Sequence, residues 1–395
     1  MEKVIQGEKV YLPEYEGSSI VNIPSSILQL FGVKPPSLPL REDIFSIEEY
    51  KSIRKVMLFL FDSLGYNRLK KLGSLKDFNV STITSVFPST TVAALTSLYT
   101  GVPPSAHGMV GYRLFLKEFG VIANMIKLSP VGFKESDKLL DAGLSPARFL
   151  PVKTIFEILK TKNISSYAFT KMQYYESGLS ALMLKGARIV PYINIVDLLI
   201  NVRKILERTS GKVFITAYID DFDTAAHYYG TETEEEQITT DIFLENLEKI
   251  FIADTLENVL VLLTSDHGQM PAPSSSKVDI KKQKWLFNRL IMPPTGEFRA
   301  TYLNFRNGEL EEIGDRMRRE FAGKFIILKK DRAIELGLFG MGQMNQKTRD
   351  RLGDIITVSK GTNFLSYPYG EFELKARHGG LNENEMRVPF VIMKP

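Results

Sequence analysis

Cysteine is absent from this chain of 395 residues. Without it the protein cannot form a disulfide bond, a thiolate zinc site, an iron–sulfur cluster or a cysteine nucleophile, and formylglycine cannot be made from cysteine. Histidine is scarce, since the chain has four: His107, His227, His267 and His378. Any imidazole chemistry must come from this small set.

Long apolar runs and an excess of one charge are also lacking. The longest apolar run, residues 56–61, is far shorter than the roughly 20 residues that span a bilayer. The first residues mix charges of both signs, which is unlike a signal peptide. A net charge of +4 gives no indication of a nucleic-acid partner. We therefore expect a cytoplasmic protein with no membrane or nucleic-acid partner, and the sequence leaves its oligomeric state open.

Three continuous apolar runs indicate strands that are buried on both faces of a parallel sheet. They are residues 56–61, 213–219 and 259–264. Aspartates follow each run, at the sheet edge where α/β proteins place their sites. Helical patterns lie between the runs, at 154–162, 197–208 and 241–251. The alternation predicts an α/β fold with a mostly parallel central sheet flanked by helices.

The pattern also predicts three regions. Residues 1–45 are rich in proline and are expected to form an irregular arm packed on the core. Residues 46–270 and 355–395 form the core, and 271–354 form a small α+β insertion near the site. The insertion contains basic residues that either contact an anionic substrate or form a solvated face: Lys281, Lys282, Lys284, Arg316, Arg318 and Arg319.

Carboxylates and imidazoles cluster at the predicted strand ends. Asp223 and His227 are four residues apart, on one face of a helical turn, and Asp266 precedes His267 directly. Alone, each pair is more often a solvated or loop charge pair than a metal site. Together the residues could hold two divalent cations, and without cysteine they favour zinc or manganese. Two such ions suit displacement at phosphorus; the six candidate ligands are Asp62, Asp223, His227, Asp266, His267 and His378.

A candidate nucleophile lies in the segment 87–101. Pro88 and three hydroxyl residues, Ser89, Thr90 and Thr91, precede a predicted helix at 92–99. A hydroxyl at a helix N-terminus is stabilised as an anion by the helix dipole. The alternative is an ordinary helix cap. This argument does not distinguish the three hydroxyls.

These segments resemble the type I phosphodiesterase/nucleotide pyrophosphatase family of the alkaline phosphatase superfamily. The resemblance covers about residues 55–393 and has five motifs in the family's order. They are Asp62; Phe-Pro-Ser-Thr-Thr (87–91) with Thr-Gly-Val-Pro-Pro-Ser-Ala-His-Gly (100–108); Asp223-x-x-x-His227; Ser-Asp-His-Gly (265–268); and His-Gly-Gly (378–380) with Val-Pro-Phe (388–390).

The resemblance implies an alkaline-phosphatase-like core and two metal ions. It implies that Thr91 is the nucleophile, counted back from Thr100-Gly101, and forms a phosphothreonine. One ion would be held by Asp62, Asp266, His267 and Thr91, and the other by Asp223, His227 and His378. His107 would be structural. The implied substrate is a small phosphodiester or a nucleotide-like molecule.

Two positions differ from well-known nucleotide-cleaving members. Val92 replaces a phenylalanine that stacks on the base, and Tyr112 replaces an asparagine that contacts the phosphate and could donate similarly. We therefore expect hydrolysis of diesters with little dependence on the base. Monoesters should be slower because segment 87–101 offers no arginine. The alternatives are a phosphomonoesterase, phosphonate hydrolase or phosphomutase on this scaffold, or a binding protein with a degenerate site, which the intact ligand set disfavours.

Overall fold

The computed structural model describes residues 1–72, 78–252, 258–306, 309–342, 344–367, 369 and 373–393. A central seven-stranded sheet organises the chain. Strand Arg387–Met393 runs antiparallel to both of its neighbours and the other six strands run in one direction, so the predicted α/β class with a mostly parallel sheet is confirmed. In spatial order the strands are Asn79–Thr84, Arg387–Met393, Val259–Ser265, Lys55–Phe61, Val213–Ile219, Ser165–Lys171 and Arg188–Tyr192.

The three predicted strands are adjacent in this sheet, with Lys55–Phe61 between the other two. From residue 56 to 61, the even-numbered side chains pack into one apolar core and the odd-numbered ones into another. The strand therefore buries both faces, which explains why its sequence is continuously apolar rather than alternating.

Helices cover both faces of the sheet. Those predicted at 154–162 and 197–208 are observed at Ile155–Lys160 and Ile195–Arg208. The helix predicted at 241–251 begins earlier, at Glu234, because Thr233 caps it and an acidic run forms its first turn. Ile155–Lys160 starts with a capping box in which Thr154 accepts from the Glu157 amide, and Asn194 caps Ile195–Arg208. The helices of six or more described residues are Asn22–Leu30, Tyr66–Leu72, Thr91–Thr100, Ile155–Lys160, Gly178–Met183, Ile195–Arg208, Asp221–Tyr229, Glu234–Leu247, Leu310–Glu320, Lys330–Glu335 and Gln346–Arg351. Short helices lie at Pro104–His107, Lys138–Asp141, Pro146–Phe149, Lys284–Phe287 and Glu383–Met386.

The N-terminal region is more regular than its prolines indicate. It contains a hairpin of Glu2–Ile5 with Glu8–Tyr11 and a buried helix, Asn22–Leu30. Pro24 lies in the first turn of this helix, where backbone amides have no helical acceptor to lose, so it does not break the helix. The Ile20 amide donates to the Thr84 carbonyl (2.9 Å) and thereby joins this region to the central sheet.

A second seven-stranded sheet is antiparallel throughout. It takes three strands from the predicted insertion, one from the segment after it, and three from residues 113–130, so it is built from two distant parts of the chain. The division of the chain at 271 and 354 stays a prediction. In spatial order the strands are Phe325–Lys329, Ile355–Ser359, Ala300–Leu303, Thr295–Gly296, Arg113–Leu116, Val121–Asn124 and Ser129–Pro130.

Two small strand pairs complete the described β-structure. Met270–Pro271 pairs with Ala376–Arg377, and Lys277–Asp279 pairs with Phe364–Ser366. The first pair brings residue 378 beside the segment that follows strand Val259–Ser265. In the described residues, no helix is both long and apolar enough to cross a membrane.

Candidate metal centre

The first ligand group lies at the ends of two neighbouring parallel strands. Phe61 pairs with Ser265 in register, so Asp62 and Asp266 leave the sheet at the same level. Asp62, Asp266 and His267 are at most 2% exposed, and each offers a ligand atom within 4.8 Å of the others. His267 Nε2 lies 3.5 Å from Asp62 Oδ1 and 3.3 Å from Asp266 Oδ2.

The second group comes from a helix and a loop. Asp223 and His227 lie one turn apart on helix Asp221–Tyr229, with 3.3 Å between Asp223 Oδ2 and His227 Nε2. His378 follows the short strand Ala376–Arg377 and completes a group whose ligand atoms lie within 4.8 Å. Its ring stacks on that of His267 at 3.9 Å between centroids, so the two groups are adjacent. All six predicted ligands therefore come together at one edge of the sheet.

Backbone carbonyls orient the histidine rings. His227 Nδ1 lies 2.8 Å from the Ala376 carbonyl oxygen, His378 Nδ1 3.1 Å from that of Ser89, and His267 Nδ1 3.2 Å from that of Gly268. A carbonyl can only accept, so we assign the proton of each ring to Nδ1. Nε2 then keeps its lone pair in all three, which is the state that binds metal.

The acidic oxygens of this centre fit a cation. Asp62 Oδ1 and Asp266 Oδ2 are buried and have no hydrogen-bond partner among the described residues, an arrangement that costs free energy unless a ligand satisfies them. Burial, with the nearby carboxylates of Asp266 and Asp223, raises the pKa of Asp62 well above its usual value. Burial also raises the pKa of Asp266. A divalent cation would neutralise this cluster, and nitrogen and oxygen donors of this kind suit zinc or manganese.

Of the three candidate hydroxyls at 89–91, that of Thr91 contacts the first group. Thr91 begins helix Thr91–Thr100, and its Oγ1 lies 3.3 Å from Asp62 Oδ2 and 3.2 Å from His267 Nε2. Ser89 donates instead to the Gly380 carbonyl (2.9 Å), and Thr90 is the buried cap residue. The structure therefore distinguishes hydroxyls that spacing alone left equivalent.

A pocket of about 600 Å³ opens beside Thr91 and the second group. Tyr112 lines it, and its hydroxyl accepts a hydrogen bond from Asn124 Nδ2 (2.7 Å). Much of the wall comes from residues 124–134, including Lys127, Lys134 and the 53% exposed Phe133. Neither lysine has an anionic partner within salt-bridge distance in the described part of the chain.

The predicted insertion contributes less to this wall than expected. Glu297 and Phe298 line the pocket, whereas none of the basic residues singled out in the insertion does. Arg316 and Arg318 instead pair with Glu320 and Asp315 on the solvent-facing side of helix Leu310–Glu320. These two arginines fit the solvated basic face.

Sequence reasoning missed residues that hold the ligands in place. Tyr218 donates to Asp62 Oδ2, and Gln269 donates to Asp223 Oδ1. Ser63 contacts Asp223, Asp266 and His267. Ser63 directly follows Asp62 and Gln269 lies two residues after His267, but serine, tyrosine and glutamine are too common at such positions to be singled out by type. His107, expected to be structural, is buried, and its Nε2 lies 2.9 Å from Ser97 Oγ.

The chain thus combines a mostly parallel α/β sheet with two Asp/His groups at its carboxyl edge, each of which could hold a metal ion. The chain belongs to the type I phosphodiesterase/nucleotide pyrophosphatase family, whose sequence model matches residues 56–381. No protein in the curated set matches the sequence significantly.

Solved structures share the fold at low sequence identity. Mouse ectonucleotide pyrophosphatase/phosphodiesterase 5 is 18% identical with a TM-score of 0.65, covering 86% of this chain and 88% of that chain. An inactive variant of the mouse protein was solved in complex with AMP. Phosphonoacetate hydrolase from Sinorhizobium meliloti, in complex with phosphonoacetate, is 19% identical with a TM-score of 0.64, covering 87% of this chain and 91% of that chain.

Proposed function

We propose that this chain is a two-metal phosphodiesterase that acts through a phosphothreonine on Thr91. The observation that carries the proposal is the position of Thr91 Oγ1, at a helix N-terminus and within 3.3 Å of Asp62 and His267. Zinc is the proposed metal, with manganese as the alternative. The proposed ligands are Asp62, Asp266 and His267 with Thr91 for one ion, and Asp223, His227 and His378 for the other.

The residues of the chain have separate roles in the reaction. Bound cations would offset the charge of the phosphoryl oxygens and of the leaving oxygen. Thr91 Oγ1 forms a bond to phosphorus as the ester P–O bond breaks. The hydroxyl proton, directed at Asp62 Oδ2, passes on to the departing oxygen, which leaves as an alcohol. Tyr218 donates to Asp62 Oδ2 and keeps that carboxylate in place. Water then cleaves the phosphothreonine, releasing phosphate monoester and restoring Thr91.

The pocket is the proposed site of the ester group. Val92 is fully buried and cannot contact a base, whereas Phe133 is exposed on the pocket wall. Tyr112 remains a proposed phosphate contact, because it lines the same pocket. A half-exposed aromatic ring favours aryl or nucleoside esters over small alkyl esters.

A second candidate function is phosphonate hydrolysis, and two lysines in the pocket favour it. Lys127 and Lys134 line the pocket without anionic partners in the described residues. They could receive a carboxylate or second phosphate beyond the reacting phosphorus. One of the structurally similar proteins is a phosphonoacetate hydrolase. The expectation that monoesters are hydrolysed more slowly than diesters rested on the lack of arginine in segment 87–101. These two lysine side chains weaken it, because they add positive charge to the pocket.

A substrate panel at matched zinc and manganese concentrations tests the two candidates. We expect bis(p-nitrophenyl) phosphate to have a higher kcat/KM than p-nitrophenyl phosphate or phosphonoacetate. Lys127→Ala should leave diester turnover nearly unchanged, with the exposed Lys162→Ala as the matched control. The phosphonate hydrolase would replace the diesterase as the proposed function if phosphonoacetate had the highest kcat/KM and Lys127→Ala lost turnover of phosphonoacetate but not of the diester.

A further inference from the structure

Ser63 occupies an unusual backbone position between the two ligand groups. It directly follows Asp62 at the end of the central strand, is 2% exposed and has a φ of +69°. L-residues rarely adopt this left-handed region, whereas glycine enters it without steric cost. Glycine would fit this turn with less strain, so we looked to the contacts of the Ser63 side chain for its role.

Three hydrogen-bonding contacts connect Ser63 to both groups. Its amide donates to Asp266 Oδ1 at 3.0 Å, and its hydroxyl donates to Asp223 Oδ1 at 2.8 Å. Its Oγ also lies 3.1 Å from His267 Nδ1. Asp266 and His267 belong to the first group and Asp223 to the second, so one residue bridges two sets of ligands.

The donor and acceptor in each of these hydrogen bonds follow from the fact that the Ser63 hydroxyl has one proton. The single hydroxyl proton of Ser63 goes to Asp223, so Oγ can only accept from His267 Nδ1. The other neighbour of that nitrogen, the Gly268 carbonyl oxygen, can also only accept. His267 therefore carries its proton on Nδ1 and keeps the Nε2 lone pair for a ligand.

The same chain of bonds orients Asp223. Its Oδ1 accepts from Ser63 and also from Gln269 Nε2. Oδ2, which lies 3.3 Å from His227 Nε2, is then the carboxylate oxygen turned toward the second group.

We infer that Ser63 is a positioning residue that preorganises both metal groups through one hydroxyl. Together with the Gly268 carbonyl it holds the proton of His267 on Nδ1, it orients Asp223, and it touches no reacting atom. This role rests on the proposed two-metal function. Loss of such an outer partner typically weakens metal affinity 10–100-fold.

Ser63→Gly tests this role because glycine keeps the backbone and removes only the hydroxyl. Zinc binding to the metal-free protein is measured by calorimetry. We expect wild type to bind two equivalents, and Ser63→Gly to bind at least one of them about 10–100-fold more weakly. Excess zinc should restore kcat. The metal-free variant should melt close to wild type, since glycine tolerates this φ.

Two further variants separate the hydroxyl from the backbone. Ser63→Ala also lacks the hydroxyl and should show the same loss of zinc affinity. Asn163→Gly is the matched control, because Asn163 is exposed and also has a positive φ (+55°) remote from the ligands. Its zinc affinity should equal that of wild type.

The outcomes separate this role from the proposed function. Wild-type affinity at both sites in Ser63→Gly would overturn the role while leaving the metal centre intact. A loss of affinity accompanied by a large fall in the melting temperature of metal-free Ser63→Gly would also overturn it, because the defect would then be one of folding. Wild-type protein that binds no zinc would overturn the proposed function together with this role.

Discussion

One hydroxyl group, that of Thr91, separates the proposed hydrolase from a protein that only binds metal. Thr91→Ala should lower kcat by more than about 10³-fold, since it removes the nucleophile. It should still bind two metal equivalents, because all six carboxylate and imidazole ligands remain. Thr91→Ser should keep partial activity. Turnover and metal content of the purified variants check both statements.

Thr90→Ala is the control for register. Thr90 is buried and makes no side-chain capping hydrogen bond, so its loss should leave turnover within a few-fold of wild type. Full activity in Thr91→Ala, or inactivity confined to Thr90→Ala, would show that the nucleophile has been assigned to the wrong residue.

At the scale of elements, a buried ion pair joins the second sheet to the loop that carries His378. Arg299, just before strand Ala300–Leu303, donates to both carboxylate oxygens of Glu385 at 2.7 and 2.9 Å. Both residues are at most 1% exposed. Glu385 in turn accepts from the Gly380 amide at 2.8 Å. The pair therefore fixes residues 378–386 against a sheet that is distant in sequence.

Breaking one side of this pair should be costly. Arg299→Met leaves the Glu385 carboxylate buried without its counter-charge, and we expect a loss of about 3–5 kcal/mol in the free energy of unfolding. Urea denaturation measures it. The double variant Arg299→Met/Glu385→Gln should recover part of this loss, because no uncompensated charge remains. A loss below about 1 kcal/mol in the single variant would contradict a strong structural role for the pair.

The elements also show where sequence reasoning succeeds. Strands Lys55–Phe61, Val213–Ile219 and Val259–Ser265 were predictable because burial on both faces demands continuous apolar residues. Their parallel pairing then brings the following aspartates to one edge, so ligands from distant positions could be foreseen as a cluster.

Other features depend on contacts that no local pattern encodes. The strands in 113–130 are two to four residues long and pair with one another in sequence order. Their link to the rest of the second sheet is the pairing of Arg113 with Gly296, about 180 positions away, so the second sheet and its pocket wall were not predicted. Lys127 lies between two of these short strands, and only the fold places it in the same pocket as Thr91 as a candidate substrate contact. Ser63 gave no signal because a serine after an aspartate is unremarkable until its φ is known.

At the scale of the whole molecule, metal binding and folding should be linked through pH. In metal-free protein, burial and neighbouring carboxylates raise the pKa of Asp62, and burial raises that of Asp266. The folded chain then holds these protons more tightly than the unfolded chain, so metal-free stability falls as pH rises from the ordinary aspartate pKa through the raised one. Bound cations favour the ionised carboxylates and remove this penalty.

The melting temperature gap between zinc-loaded and metal-free protein should therefore widen from pH 5 to pH 8. Calorimetry of EDTA-treated and zinc-reconstituted samples at each pH measures it. Protonation of the histidine ligands also weakens metal binding as the pH falls, so a variant that removes one carboxylate is needed to isolate the contribution of the carboxylates. Asp62→Asn, which cannot ionise, should show a flatter dependence. A gap that stays constant or narrows over this range would mean that these carboxylates do not couple metal binding to the stability of the fold.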